Sequence, residues 1–426
     1  MDYAINSFSI ISALVILYIF NHIYTMKYQQ FKEWYNGRGS PIEMKETKLH
    51  QKTIIPLFNV KLEEPVHLHI DRNQCVERLI FNMFPEPIRI IPGKPIEKQT
   101  YGQPIKIPFP PPEINIHFYP WRRQENMANE MKDVILRDQL PPDFDTFDNV
   151  GKVAVRPGTS GTGGFQTVTT LHTMRIATAL LIVEFDQIYP RDIASSITMP
   201  TNPYGINLID SLLDAVRLIS GNEPHQYKGY HFTNNRIVDT LTKWPLAEFQ
   251  GPEVNLNAYD LNEIKKLLLN IWRIRSESSK SKSRRILILA LEYYYLSSTM
   301  TQTRTIFLYL MIAFEALFKA QDEKSASAAS SRLAKLLANN KSDYNHIHSF
   351  MWDPKKNDGC CQIRNHVVHG DFTPIPTAVF WRLRDLLRYA IISIVNLILS
   401  SQIDPQDYYV SLDSYANNRF SELSNK

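Results

Sequence analysis

The chain has 426 residues, 47 Lys and Arg against 43 Asp and Glu, a net charge of +4, and 44% hydrophobic residues. That length is enough for two or three domains, and the composition excludes a wholly disordered chain, a collagen and a multi-span membrane protein. The small positive surplus does not by itself indicate a nucleic-acid-binding protein. Three cysteines, Cys75, Cys360 and Cys361, are too few for a disulfide framework or an all-cysteine zinc site and indicate a reducing compartment.

Residues 3–26 carry no charged side chain. A helix of that length reaches roughly 36 Å and can cross a hydrocarbon core of about 30 Å. We therefore predict a membrane anchor at residues 1–30, a juxtamembrane linker at residues 31–49, and a single-pass protein of the cell membrane. The alternative is an amphipathic or buried helix. The positive-inside rule keeps the body of the protein in the cytoplasm, because five basic residues follow the segment: Lys27, Lys32, Arg38, Lys45 and Lys48.

Residues 50–250 mix strand and helix signals, and we predict a mixed α/β module of unknown role with an irregular sheet. Ten of the 26 prolines lie between residues 85 and 120, which excludes long helices there. Val66–Ile70 and Ile114–Phe118 alternate apolar and polar residues with a period of two, as half-buried strands do. Three further segments carry similar signals: a strand at Thr167–Leu171 and helices at Glu130–Leu136 and Ile206–Leu218.

Two features of this module suggest ligands. His67 and His69 share one side of a strand and could join His117 or His172 around a metal ion. No further ligand has a spacing that fixes such a site, so we predict surface histidines and no metal. The glycine-rich run at residues 157–165 lacks the Gly-Lys-Ser/Thr ending of a Walker loop and the third glycine of a dinucleotide fingerprint. We predict a flexible loop there.

The chain changes character after Gly251-Pro252, and we predict a helical bundle at residues 255–405 followed by a C-terminal tail at residues 406–426. Apolar residues recur with helical periodicity in five stretches separated by short breaks. These are Leu261–Ile274, Ile286–Leu296, Arg304–Ala320, Ala328–Ala338 and Ala378–Ser400. The chain as a whole is therefore assigned to the α+β class.

Glu315 is the only charged residue in the apolar run Thr305–Phe318, so we expect it in the interior of the bundle. A buried carboxylate needs a cation or hydrogen-bond donors, and Arg364 is the candidate partner. Arg364 stands five residues before His369, which is followed by Gly370 and so lies near a helix end. This is the only Arg and His pair with that spacing in the chain.

Three segments together resemble the HEPN superfamily, specifically its Apea-like branch. They are Ala313-Phe314-Glu315-Ala316-Leu317-Phe318, Ser331-Arg332-Leu333-Ala334-Lys335-Leu336-Leu337 and Ile363-Arg364-Asn365-His366-Val367-Val368-His369-Gly370. The resemblance covers about residues 255–405. It implies a helical bundle that dimerises and acts as a metal-independent endoribonuclease. It also implies that Arg364 and His369 are the catalytic pair, with Asn365 as their polar neighbour.

The residues themselves fit this chemistry. Cleavage of RNA without a metal needs a base for the 2′-OH, an acid for the departing 5′-oxygen and positive charge near the phosphorus. His369 can carry the proton, and Arg364 offers a planar guanidinium to the phosphate. Residues five apart on a helix are about 140° apart around its axis, so a two-fold dimer is expected to bring two motifs together. His366 is an alternative proton carrier.

A ribonuclease of this kind implies RNA as the substrate, a homodimer, no cofactor, and a role in phage defence or toxic growth arrest. The rival reading is a catalytically inactive, membrane-anchored sensor or scaffold whose bundle binds a partner protein. In that reading Arg364 only neutralises Glu315, and His369 is only a helix-end cap.

Overall fold

The structure is a computed structural model. It describes residues 46–75, 80–83, 105–108, 112–121, 146–154, 168–190, 205–226, 228–234, 236–242, 253–278, 281–300, 302–320, 323, 325–353, 359–370 and 374–424. Contacts divide the chain into two compact units. The first comprises residues 1–49, 78–112 and 186–200, and its described part includes one antiparallel strand pair. The second comprises the remaining residues and holds both the sheet and the helices described below.

The strands are short segments rich in β-branched and aromatic residues, as strands usually are. In chain order they are β1 Glu46–Phe58, β2 Val60–Lys61, β3 Val66–Ile70, β4 Ile80–Met83, β5 Ile105–Pro108, β6 Ile114–Pro120, β7 Thr146–Ala154, β8 Val168–Ile176, β9 Ala179–Pro190, β10 His225–Gln226, β11 Lys228–Thr233, β12 Arg236–Thr242 and β13 Val254–Asn255. Strand pairs β4–β5 and β7–β8 are antiparallel, and β2 pairs in parallel with β13.

The main sheet has seven strands in the order β12-β11-β1-β9-β6-β3, with β10 paired to β1. Strand β3 is antiparallel to β6, and Leu68 stands opposite Ile116. Along β3, Val66, Leu68 and Ile70 are buried, whereas His67 and His69 are exposed. The period-two prediction for these two strands is confirmed. One face of β3 and β6 is therefore part of the core, and the other carries polar side chains.

The helices follow from long stretches of apolar residues with helical spacing. They are α1 Gly205–Ser220, α2 Leu261–Ser276, α3 Lys282–Ser298, α4 Thr303–Phe318, α5 Ala326–Leu337, α6 Lys341–Met351, α7 Cys360–Val368, α8 Thr377–Leu399 and α9 Tyr408–Ser424. The predicted helix at Ile206–Leu218 and the five predicted bundle helices are all present, with boundaries shifted by a few residues. Helices α6 and α9 were not predicted, and α9 lies within the segment 406–426.

Polar caps explain several of the helix starts. The side chain of Asp260 accepts a hydrogen bond from a backbone N–H in the first turn of α2. Ser281, Ser325 and Asn340 do the same for α3, α5 and α6. Because the first N–H groups of a helix have no partner within it, each such cap stabilises the helix start by about 1 kcal/mol.

Helix α8 is the centre of the bundle and contacts α1, α2, α3, α4 and α5. Its inward residues Leu383, Leu387, Ile391 and Ile394 are completely buried. Helices α3 and α4 form the most extensive helix pair, and α7 packs on α4 and α6. This arrangement fixes α7, which carries the predicted catalytic motif, against the helix that carries Glu315.

The predicted single-pass membrane localisation is wrong when the described helices are tested for length and apolar character. None of their helices combines the length and the apolar character that crossing a bilayer requires. Helix α8 has 23 residues, but its first half holds Arg382, Arg384, Asp385 and Arg388. Residues 3–26, on which the prediction depended, lie outside the described residues, as do the segment Glu130–Leu136 and the glycine-rich run at residues 157–165.

Candidate active site

Helix α7 is held firmly at its start. Gly359 precedes the helix, and a Cβ at this position would lie 2.7 Å from Oε1 of Gln362 and 2.8 Å from the backbone nitrogen of Asp353. The next residues, Cys360, Cys361, Gln362 and Ile363, are all buried. Because its first turn is buried, the helix is anchored in the bundle. The following turn then emerges at the surface with the motif residues.

The end of α7 is set by Gly370. Helix α7 ends at Val368, His369 is the C-terminal cap, and Gly370 adopts a left-handed φ of +89°. A glycine in this conformation is the usual way to terminate a helix. The backbone N–H of His369 donates to the carbonyl of Asn365 at 3.0 Å. The prediction that His369 lies near a helix end is confirmed.

Arg364 and Glu315 form the ion pair that the sequence suggested. Nε of Arg364 lies 3.4 Å from Oε1 of Glu315, and Nη2 lies 3.4 Å from Oε2. Nη1 of Arg364 also donates to Oδ1 of Asn365 at 3.3 Å. The structure therefore brings Arg364, Asn365 and Glu315 together. It corrects the expected position of Glu315, because this carboxylate is 28% exposed and lies at the edge of α4, not in the bundle interior.

His369 stands apart from that group. Its residue is exposed, and in the described part of the chain its ring makes no hydrogen bond or ion pair with Arg364, Asn365 or Glu315. The guanidinium and the imidazole of one chain therefore occupy neighbouring but separate positions on the surface. His366, the alternative proton carrier, lies on α7 and is only half-buried.

The surface around the motif is partly apolar. Val368, immediately before His369, is 53% exposed, and Ile312, one turn before Glu315 on α4, is 36% exposed. Contiguous patches of exposed apolar side chains are typical of protein interaction surfaces. Both residues lie on the two helices that carry the motif and Glu315.

The neighbouring cysteines are not candidate nucleophiles. Cys360 and Cys361 are free and buried at the start of α7. Burial raises the pKa of Cys360 well above its ordinary range, and it raises the pKa of Cys361 to about 11. Since the thiolate is the reactive form of cysteine, both side chains act as small apolar core residues.

A second polar cluster lies on the open face of the main sheet. Nδ1 of His67 and Nδ1 of His117 are 2.7 Å apart and share a hydrogen bond. Nε2 of His117 lies 3.4 Å from Glu184, and Nζ of Lys52 lies 3.8 Å from the same carboxylate. The hydrogen bond to His117 lowers the pKa of Glu184. Desolvation, together with the nearby His117, lowers the pKa of His67.

This cluster contains two of the histidines considered as metal ligands. Within the described residues, no group of three or more His, Cys, Asp or Glu side chains has a geometry that could hold a metal ion. His69 is engaged elsewhere, since its ring is hydrogen-bonded to Asn115 at 2.8 Å and lies 3.3 Å from Asp71. The side chain of His172 lies outside the described residues.

A buried ion cluster between α1, α2 and α3 was not predicted from the sequence. Arg217 is 3% exposed and pairs with Asp214 and Glu223, with Nη2 donating to Glu223 at 2.6 Å. Arg275 pairs with the other oxygen of Asp214. Desolvation alone would lower the pKa of Arg217, but the attraction of Glu223 and Asp214 is larger and raises it. The charges are satisfied among themselves, so this cluster is structural.

Comparisons with protein families, with curated proteins and with solved structures find no match to this chain.

Proposed function

We propose that the chain is a metal-independent endoribonuclease of HEPN type, with Arg364 and His369 as its catalytic residues and Asn365 as their polar neighbour. The observation that carries the proposal is the arrangement at the end of α7. There a guanidinium is held by Glu315 without being buried, one turn before an exposed histidine at a helix end. An arginine and a histidine accessible on one surface provide the charge and the proton carrier that RNA cleavage needs.

The reaction begins with the removal of a proton from a ribose 2′-OH by a neutral His369. The 2′-oxygen attacks the adjacent phosphorus, the bond from phosphorus to the 5′-oxygen breaks, and the leaving oxygen receives a proton from an imidazolium. The products are a 2′,3′-cyclic phosphate and a 5′-hydroxyl. Arg364 donates hydrogen bonds to the phosphate oxygens while negative charge builds up on them.

A homodimer supplies both proton carriers. The two-fold axis of a dimer would place a second copy of His369 across one phosphate, so that one imidazole acts as base and the other as acid. The exposed Val368 and Ile312 offer the apolar contacts for such an interface beside the motif. The partners of the chain in this proposal are RNA and a second copy of itself.

Glu315 is a positioning residue in this scheme. Its carboxylate contacts two nitrogens of Arg364 at 3.4 Å, which is longer than a strong ion-pair hydrogen bond. A pair of this kind limits the directions in which the guanidinium can point and leaves it able to bind a phosphate. Asn365 restrains the third nitrogen in the same way.

Growth arrest, including arrest during phage infection, is the biological role that such an activity would serve. The competing proposal is a catalytically inactive bundle that mediates dimerisation or binds a partner protein. The specific observation in its favour is the Arg364–Glu315 pair itself, because an ion pair between adjacent helices also occurs in purely structural bundles. The two proposals differ in what His369 does.

The test is inducible expression in a bacterial host of the full chain, of His369→Ala, and of His346→Ala as a matched control. His346 is an exposed histidine on α6, outside the motif. We expect the wild type and His346→Ala to arrest growth and to leave RNA fragments ending in 2′,3′-cyclic phosphate, also with purified protein in the presence of a chelator. We expect His369→Ala to do neither, with unchanged expression and unfolding temperature.

Equal cleavage by wild type and His369→Ala would overturn the assignment of His369. Intact RNA with all three proteins, both in cells and with purified protein on total RNA, would favour the partner-binding bundle. In that case, cross-linking of the wild type against a variant with Val368→Asp would show whether this surface still mediates dimerisation.

A further inference from the structure

A cavity of about 470 Å³ opens between the end of α1, the middle of α2 and the second half of α8. It lies away from the proposed active site, and none of Arg364, Asn365, His369 and Glu315 lines it. Ligand-binding pockets of small molecules typically have volumes of about 300–1,000 Å³, with mostly apolar walls and a few polar groups. The size of this cavity falls within that range.

Part of the cavity wall is apolar and aromatic. Leu218, Leu267 and Ile392 contribute aliphatic surface, and Tyr259 and Tyr389 contribute rings. The ring of Tyr389 is half-exposed to solvent, at 53%, although it is a large side chain on the central helix α8. The hydroxyl of Tyr259 donates a long hydrogen bond of 3.5 Å to the backbone carbonyl of Ser220. The guanidinium carbon of Arg388 lies 4.6 Å from the centre of the Tyr389 ring, so aromatic and cationic surface adjoin here and favour a flat occupant with an anionic group.

Arg388 is the most unusual polar group in the cavity lining. Its Nη1 donates to the carbonyl of Ile219 at 3.2 Å and its Nη2 to the hydroxyl of Tyr389 at 3.0 Å. Its Nε is buried and has no hydrogen-bond partner among the described residues. The guanidinium also lies against Gly221, where a Cβ would come within 3.1 Å of Nη1. The arginine is thus held in place by Nη1 and Nη2, each of which carries a second N–H, whereas its Nε is inaccessible to a ligand in the cavity.

The cavity lining also carries charged side chains. Lys266 and Arg388 face the cavity together with one carboxylate, Glu263. Asp385 is 3.5 Å from Nη2 of Arg388, but this carboxylate is 61% exposed and its attraction is therefore weakened by water. The side-chain amides of Asn270 and Asn396 add hydrogen-bonding groups. The lining residues therefore carry an excess of one positive charge, which suits an anionic group.

We propose that this cavity binds a small aromatic anion, with the ring system between the tyrosine and aliphatic walls and the carboxylate, sulfonate or phosphate at Arg388 and Lys266. Arg388 donates to an anionic oxygen through an N–H of its terminal Nη groups, because its Nε is buried. The cavity is lined by α8, which also contacts α4, the helix of Glu315. The inference concerns a separate site and does not depend on the proposed ribonuclease activity.

The test uses the full chain and the fluorescent probe 8-anilinonaphthalene-1-sulfonate, an aromatic anion. We expect saturable binding of one probe per chain. We expect Arg388→Met to weaken it by about tenfold, the effect of losing one charge-assisted hydrogen bond. Ile392→Trp fills the cavity and should abolish binding. Arg382→Met is the matched control, because Arg382 is an exposed arginine on the same helix outside this cavity. It should bind as the wild type does.

A neutral probe of the same shape, N-phenyl-1-naphthylamine, separates charge recognition from simple hydrophobic binding. We expect it to bind more weakly than the sulfonate and to be insensitive to Arg388→Met. Lys266→Met provides a second charge variant at an exposed position, should Arg388→Met lower the unfolding temperature. The proposal is overturned by non-saturable sulfonate binding, by unchanged affinity in Ile392→Trp, or by equal affinity for both probes in the wild type.

Discussion

Two arginines of this chain make ion pairs with carboxylates, but the two pairs contribute very different amounts to stability because one is buried and the other is not. Arg217 is 3% exposed and holds two carboxylates that are equally inaccessible, Asp214 at 4% and Glu223 at 2%. Removing one partner of a buried pair leaves uncompensated charge and costs about 3–5 kcal/mol. Arg364 and Glu315 are about one-third exposed, so water screens the pair and its loss costs about 0.2–1 kcal/mol.

We therefore predict that Arg217→Gln lowers the free energy of unfolding by about 3–5 kcal/mol and that Arg364→Gln lowers it by less than about 1 kcal/mol. With a urea dependence of about 2.5–3 kcal/mol per molar, the midpoint of unfolding shifts by about 1–2 M for Arg217→Gln and by less than about 0.4 M for Arg364→Gln. The assay is urea unfolding of the purified full chain, followed by circular dichroism at 222 nm, which reports the helices.

The ranking of the two variants is the critical result. If Arg364→Gln shifted the midpoint as much as Arg217→Gln does, Glu315 would be effectively buried and our placement of this carboxylate would be refuted. A small shift for Arg217→Gln would mean that Asp214 and Glu223 reach water. With the expected ranking, Arg364→Gln also becomes a clean test of catalysis, because loss of RNA cleavage in a stable protein cannot be attributed to unfolding.

Three further predictions follow from the structure. Gly359→Ala should destabilise the protein by about 1–3 kcal/mol and reduce RNA cleavage, because the added Cβ would press on the backbone of Met351 and Asp353, which lies against the start of α7; wild-type thermal stability would contradict the close approach. The pKa of His67 in the folded protein lies below its ordinary value of 6.5. As the pH falls below 6.5, the unfolded chain therefore binds this proton before the folded protein does, and the free energy of unfolding decreases. The decrease is complete once the pH has fallen below the pKa of His67 in the folded protein. A His67→Gln variant should therefore lose less stability than the wild type between about pH 7 and pH 5, and parallel curves for the two proteins would argue against this reasoning. In the folded protein, iodoacetamide should modify Cys75, which is half-buried, much faster than the buried Cys360 and Cys361, as mass spectrometry of the digested protein would show; equal rates would contradict the raised pKa of the latter pair.

The elements that the sequence predicted well are those in which one residue pattern dominates. Strand β3 alternates so regularly that its buried and exposed residues could be assigned from Val66 onward. Helix α4 is apolar over nearly its whole length and lies in the bundle as predicted. Its neighbour α6 was missed because Met351 is its only buried residue, so that its sequence has no apolar stripe to detect. Polar capping by Asn340 and packing on α5 define it instead.

For the candidate site, the sequence correctly predicted the pair of Arg364 and Glu315 but overestimated how deeply Glu315 is buried. An apolar run indicates that a helix is covered on most sides, but it does not say which single position is left at the edge. Glu315 occupies that edge, facing the surface turn of α7. The contact between His67 and His117, in the second polar cluster, depends on how β3 and β6 are aligned. These two residues are 50 positions apart in the chain, and no local sequence pattern specifies that alignment.

The contact between α1 and α2 bears on how this protein can be divided for experiments. Helix α1 precedes residue 250, yet its Asp214 pairs with Arg275 of α2, and Glu223 accepts a hydrogen bond from Ser298 of α3 at 2.7 Å. A fragment starting at residue 255 would expose the apolar side of α2 to water and would leave Arg275 without its partner Asp214. Recombinant fragments of the helical region should therefore begin before Gly205, so that they retain the charge balance of their interior.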